Sequence, residues 1–292
     1  MNLVTFIRLY LYFQHFISGE DIKTRVELVQ INVTDDKSIQ AAVDKVTNSP
    51  GGLFGLINNA GGVASTHRET LALNTYGAVR VSKAFLPLLH KNGNFYHRNL
   101  SKLILSFFEG RIVNISSATS TIFVSKCRDD VQNLFKHSTS FKEELETGII
   151  EPFLKIVEEK GIEDKAAALD NIGLTDFELI CPGYGLSKAA LNVFTRDLAK
   201  MNPHLQVNAC CPGFVDSDLS RGVMERNKVT PEQMGMKPTE SGAVAPVFLM
   251  MEQMTGSGDF YGEGGKHLLD SDSQGGEVRG LDNDSHTHLK QT

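Results

Sequence analysis

The feature that most constrains this chain is an alternation of two periodicities. Short runs of β-branched and aliphatic residues are each followed by a stretch with helical spacing, the signature of repeated β-α-β units around a parallel sheet. Residues 26–33 (VELVQINV) read as a strand, and residues 35–46 as a helix with Ser38, Ile39, Ala42, Val43 and Val46 at helical spacing. A strand over 53–58 runs into the small-residue turn Asn59-Ala60-Gly61-Gly62. A long helical stretch over 69–89 follows, then a buried-type strand, 111–116, ending in hydroxyl residues. Residues 121–180 carry mixed helical patterns, among them 153–160. Residues 184–200 predict an amphipathic helix, and 206–210 a last strand closed by Pro212-Gly213.

The expected fold is therefore α/β, a doubly wound, Rossmann-like parallel sheet, organised in one domain over 25–269. Two insertions are expected, near 92–108 and 121–180, the first because it is longer than an ordinary connection. Residues 1–24 form an atypical N-terminal segment. The tail over 270–292, rich in Asp, Ser, Gly, Asn and His, has little to bury and is expected to be disordered. The glycines at 256, 258, 262, 264 and 265 meet neither dinucleotide nor P-loop spacing and read as a flexible surface loop.

Composition excludes several function classes. With 292 residues, 41% hydrophobic and a formal net charge of -6, the chain can bury a core and has no basic excess for nucleic acid. Arg8, Gln14 and His15 interrupt the apolar run at the N-terminus, so no membrane anchor is expected. Cys127, Cys181, Cys210 and Cys211 match no disulfide or zinc spacing, and the histidines are scattered, so a reducing, cytoplasmic setting without a metal is expected. Asn32-Val33-Thr34 and Asn114-Ile115-Ser116 fit the glycosylation pattern but fall in predicted core strands and are read as accidental.

Two residues four apart on a helix share a face, so Tyr184 and Lys188 can point into one site. A neighbouring ammonium favours the phenolate and would bring a tyrosine, ordinarily titrating near 10, toward useful acid-base chemistry. Taken singly, such a pair is as easily an exposed helix pair, and Ser116-Ser117 a helix cap. Five segments in order change that balance: LINNAGG (56–62), LALNTYGA (71–78), VNISS (113–117), YGLSK (184–188) and NACCPGF (208–214). Together they resemble the short-chain dehydrogenase/reductases.

That resemblance implies a catalytic set of Asn74, Ser117, Tyr184 and Lys188. Tyr184 would protonate a carbonyl oxygen and Ser117 would stabilise the developing charge. Lys188 would also bond the nicotinamide ribose, and Asn74 would hold a relay water. It further implies cofactor contacts at Asn32, Val33, Asn58, Ala60 and Gly61 on the adenine side, and at Pro212, Gly213, Val215 and Ser217, with the backbone of Phe214 nearby. NACCPG and the 67-residue separation of Ser117 from Tyr184 are similar to the monomeric carbonyl reductases. From them come the expectations of a small-molecule carbonyl substrate, NADP, with NAD left open, and a monomer whose insertion covers the face used elsewhere for tetramers.

One departure stands out. The family opens with a strand and Thr-Gly-x-x-x-Gly-x-Gly, whose backbone N–H groups approach a pyrophosphate, and the sequence contains no such string. Only about 25 residues precede the strand ending at Val33, whereas a β-α-β unit takes about 30. The N-terminal β-α-β unit is thus expected to be incomplete. The competing reading is a non-catalytic scaffold, or a truncated product, with the reductase fold and impaired cofactor binding.

Overall fold

The computed structural model describes residues 4–5, 28–48, 53–89, 110–138, 140–160, 182–221, 230–233, 235–252, 254, 256–262 and 265–266. The expectations for most of 1–24, for 92–108, for 161–181 and for 270–292 lie outside these residues.

A two-stranded antiparallel ribbon pairs β1 (Val4–Thr5) with β2 (Gln30–Ile31). Of the described residues of the strand expected over 26–33, the ladder includes these two, and it ends at Asn32, which turns the chain: its Oδ1 accepts from Thr34 N at 3.0 Å and Thr34 Oγ1 at 2.8 Å. Helix α1 (Asp36–Thr47) starts where Asp35 accepts from Lys37 N and buries Ile39, Ala42 and Val43. The main sheet begins with β3 (Gly55–Asn58).

The helical stretch after β3 is not one helix. It divides into α2 (His67–Asn74), α3 (Tyr76–Phe85) and a 3-10 turn, Leu86–Leu88. Thr66 and Glu69 form a reciprocal capping box that fixes the start of α2. The break falls at Thr75, whose hydroxyl donates to the carbonyl of Ser187 at 2.8 Å.

Strand β4 (Arg111–Ile115) is followed by α4 (Thr119–Ser125), α5 (Asp129–His137), a π-helical segment α6 (Phe141–Ile150) and α7 (Glu151–Lys160). Then come α8 (Pro182–Met201), β5 (Gln206–Cys210), α9 (Thr239–Met251), β6 (Phe260–Gly262) and β7 (Gly265–Lys266). The sheet order is β3-β4-β5-β6-β7, parallel except for β7.

The glycine-rich end is thus only in part a loop: residues 256–259 lie outside the sheet, whereas residues 260–262 are buried, Tyr261 pairs with Cys210, and Gly262 pairs with Gly265. Three successive residues on a two-faced sheet leave too little periodicity to read as a strand, and pairing with β5 decides the matter.

Side chains alternate across β4 and prove that both faces are covered. Ile112 joins one apolar cluster with residues of α1, α3 and α8, whereas Val113 and Ile115 pack with Ala245 and Leu249 of α9. The sheet is doubly wound. Its incompleteness appears at β3, which among the described residues pairs only with β4, and where Ile57 on the α9 side is 37% exposed.

Helix α8 corrects a second expectation. It is not amphipathic; 15 of its 20 residues are buried, because the sheet lies on one side and α2, α4 and the helices of the insertion on the others. The insertion is held by Arg196 of α8. Its guanidinium donates to the carbonyls of Phe135, Lys136 and Ser138 at 2.6–3.1 Å, capping the C-terminal end of α5 where the helix dipole favours a cation. Replacing Arg196 with Met orphans those carbonyls. Urea unfolding of that variant is expected to show a loss of about 2–3 kcal/mol.

Candidate active site

Parallel register brings three strand ends to one edge, the edge where open α/β sheets bind ligands. Asn58 is level with Asn114, and Ile115 with Cys210. Beyond them lie the turns 59–62, 116–118 and 211–213. A buried polar chain sets the spacing beneath: Asn58 Nδ2 donates to Ser82 Oγ (2.8 Å) and Asn114 Oδ1 (2.7 Å), and Asn114 Nδ2 to Thr195 Oγ1 (2.8 Å). Asn58 thus ties β3 and β4 to helices on one face rather than reaching toward a ligand.

Helix α8 delivers Tyr184 and Lys188 onto this edge. Lys188 is 4% exposed; its ammonium donates to the carbonyl of Ile115 at 2.7 Å and lies 5.6 Å from the centroid of the Tyr184 ring, within cation–π range. Burial pushes the Lys188 ammonium down to about 8, with Cys211 and then Cys210 opposing the shift. Ser116 is buried and donates to the carbonyl of Lys188 at 3.2 Å, so it serves the helix. Ser117 is half-buried; its Oγ accepts from Thr119 N (3.2 Å) and Thr119 Oγ1 (2.7 Å), which leaves its own O–H to be donated.

Asn74 closes the third side. Its Oδ1 accepts from Gly62 N at 2.8 Å, and its Nδ2 donates to Gly62 O at 2.9 Å and to Ser187 Oγ at 2.8 Å. The side chain is thereby committed to the turn and to α8. A Cβ at Gly61 would stand 3.1 Å from both Asn74 Oδ1 and Lys188 Nζ, so only glycine leaves the space open beside the lysine.

The remaining expected positions form two outlying groups. Val33, Asn58 and Ala60 line one narrow cleft with Gly77, Ala78 and Val81. Asn32 lies at the end of β2 with its Oδ1 occupied by Thr34. Pro212 and Gly213 follow β5, with Gly213 at φ 86°, a backbone conformation that favours glycine. Cys211 Sγ accepts from Ala118 N (3.2 Å) and Gly213 N (3.4 Å), joining this turn to the Ser117 turn. Val215 makes a parallel bridge with Lys237, and Ser217 is engaged with Ser220, whose Oγ accepts from Ser217 N at 2.8 Å.

Residues 16–126 match the family model described as short chain dehydrogenase. Carbonyl reductase (NADPH) 3 of Mus musculus is 29% identical over 230 residues, covering 76% of this chain and 71% of the relative. The chain thus resembles the short-chain dehydrogenases over its N-terminal part and the carbonyl reductases over most of its length. It is also 27% identical to (+)-neomenthol dehydrogenase of Arabidopsis thaliana, over 80% of this chain and 76% of that one. Its fold is that of salutaridine reductase from Papaver somniferum (TM-score 0.59, 23% identity, 83% of this chain and 85% of that one). Menthone neomenthol reductase from Mentha piperita is similar at a TM-score of 0.58 and 23% identity, over 84% and 82%.

Reading the sequence missed Ser187, Asn114, Thr195 and Arg111. Ser187 had one signal, a small polar residue within the Tyr-Lys spacing. The others carry no local sign, because their partners lie dozens of residues away.

The low value at Lys188 predicts a pH effect. Its pKa in the folded chain is about 8 against 10.5 for the free side chain, so between those values the unfolded chain binds more protons and stability rises with pH. Relative to a Lys188→Met variant, the parent chain should gain on the order of 1–3 kcal/mol across that window in denaturant titrations.

Proposed function

We propose that this chain reduces the carbonyl of a small ketone, aldehyde or quinone to an alcohol, using NADPH, with Asn74, Ser117, Tyr184 and Lys188 as its working centre. The observation that carries this reading is the meeting of the Tyr184–Lys188 helix, the Ser117 strand end and the Asn74–Gly62 turn at one sheet edge. The names of the curated relatives, among them carbonyl reductase (NADPH) 1 of Homo sapiens at 28% identity, favour NADP over NAD.

The residues fit the cofactor on two counts. The space beside Gly61, which a Cβ would fill, lies against Lys188 Nζ, and Val33 and Ala60 line a cleft on the side assigned to adenine. Pro212, Gly213, Val215 and Ser217, at the β5 end, would flank the nicotinamide; Asn32 contributes by shaping its turn. When bound, the reduced nicotinamide supplies hydride to the carbonyl carbon. Tyr184 gives its phenolic proton to the carbonyl oxygen, Ser117 donates a hydrogen bond to that oxygen, and the Lys188 ammonium favours the phenolate left behind. Asn74 holds the turn against α8.

The chain acts as a monomer in this reading. Phe141, Leu145, Ile149 and Phe153 of the insertion are buried, and Phe141 meets Tyr76 of α3 and Phe194 of α8 edge-on. This packing of the insertion on α3 and α8 supports the monomer reading. Cys127, Cys210 and Cys211 are free thiols, in keeping with a reducing compartment such as the cytoplasm. Among the described residues no helix is long and apolar enough to cross a membrane.

One feature favours a second reading: the sequence has no glycine-rich pyrophosphate turn, so a scaffold with an unused centre competes. Calorimetry with NADPH and NADH separates the two. Micromolar binding of NADPH is expected, with quinone or aldehyde turnover reduced by about 10²–10⁴ in Tyr184→Phe. Absence of binding for both cofactors establishes the scaffold instead.

A further inference from the structure

The Tyr184 and Lys188 side chains are held by a helix whose position must match that of the turn at Gly61–Gly62. One residue inside the spacing connects them. Ser187 is fully buried; its Oγ accepts from Asn74 Nδ2 at 2.8 Å and donates to the carbonyl of Tyr184 at 2.8 Å. Its own carbonyl accepts from Thr75 Oγ1 at 2.8 Å, at the break between α2 and α3. Asn74, 1% exposed, spends its remaining polar capacity on both sides of the Gly62 peptide.

The result is a continuous run of hydrogen bonds from Gly62 through Asn74 and Ser187 to the backbone of Tyr184. A small apolar residue at 187 would fill the same helix contact without bonding either partner. It would leave a buried Asn74 N–H without its acceptor, and Asn74 could regain one only by shifting away from Gly62 or from α8.

We propose that Ser187 is a positioning residue for the reduction, a brace that fixes the Gly61–Gly62 turn relative to Tyr184 and Lys188. It touches neither substrate nor cofactor and acts through Asn74 and the Tyr184 backbone. The proposal rests on the carbonyl-reduction reading for its catalytic consequence and on hydrogen bonding alone for the brace. Displacement of reacting groups by a fraction of an ångström suffices to slow a hydride and proton transfer while leaving substrate affinity largely intact.

The test uses the full chain with Ser187→Ala, which removes the hydroxyl without enlarging the side chain, and Ser187→Cys, which replaces a strong hydrogen-bonding oxygen with a slightly larger, weakly bonding sulfur. In hydrogen–deuterium exchange of the free protein, both variants should exchange faster over 59–64 and 182–186, with β4 unchanged. In turnover, kcat should fall about ten- to hundred-fold with KM for the carbonyl substrate little changed. Unaltered exchange over 59–64 in both variants, or an unaltered kcat in both, overturns the proposal. So does faster exchange that extends equally to β4, which marks Ser187 as a general packing residue. If the parent chain turns over no carbonyl, the reductase reading fails alone, and the exchange pattern still decides whether the brace exists.

Discussion

A lysine ammonium held out of water at the end of a parallel strand is the interaction on which this architecture turns. Burying that charge is unfavourable unless it is paired or hydrogen-bonded, and Lys188 answers with a bond to the Ile115 carbonyl, the last residue of β4, and with the face of Tyr184. The bond fixes where α8 crosses the sheet edge. Ser116 returns a bond to the Lys188 carbonyl, so strand and helix are joined at the same point in both directions.

Around that anchor the polar interior is organised for register rather than for bulk stability. Asn58, Asn114 and Thr195 place side-chain amides and a hydroxyl between strands and helix, each buried and each supplied with a partner. Such groups are costly when mismatched, which penalises any slip of β3 against β4. On the other face, Arg111 serves α9 as Arg196 serves α5, donating to the carbonyls of Leu249 and Glu252 at the helix C-terminus. Two arginines thus hold a helix end on each side of the sheet.

Much of this was legible in sequence. The alternation of strand and helix patterns placed β3, β4, β5 and α1 to within about two residues, because apolar periodicity and small-residue turns are local properties. The break at Thr75 was not legible, since a threonine in a helical pattern bends the chain only when a partner such as the Ser187 carbonyl accepts its hydroxyl. Nor was the burial of α8 on nearly all sides. Its exposed-looking polar residues, among them Asn192 and Thr195, find partners inside the fold: Asn192 donates to Ser120 Oγ, and Thr195 receives Asn114. The strand at Phe260 was hidden among glycines and takes its conformation from β5.

The sequence by itself determined the class of fold and the identity of the groups that meet at its edge. Spacing four apart on a helix, a serine pair after a strand and a glycine turn after another are covalent facts of the chain. Only the tertiary structure decided what each group does there. It made Ser116 a helix anchor and left Ser117 open, occupied the whole of the Asn74 side chain, turned Ser187 into a link, and moved the Lys188 ammonium toward neutrality. The reason is physical: hydrogen-bond partners and the loss of water depend on which distant segments are brought within about 3 Å, and a linear pattern carries no measure of that distance.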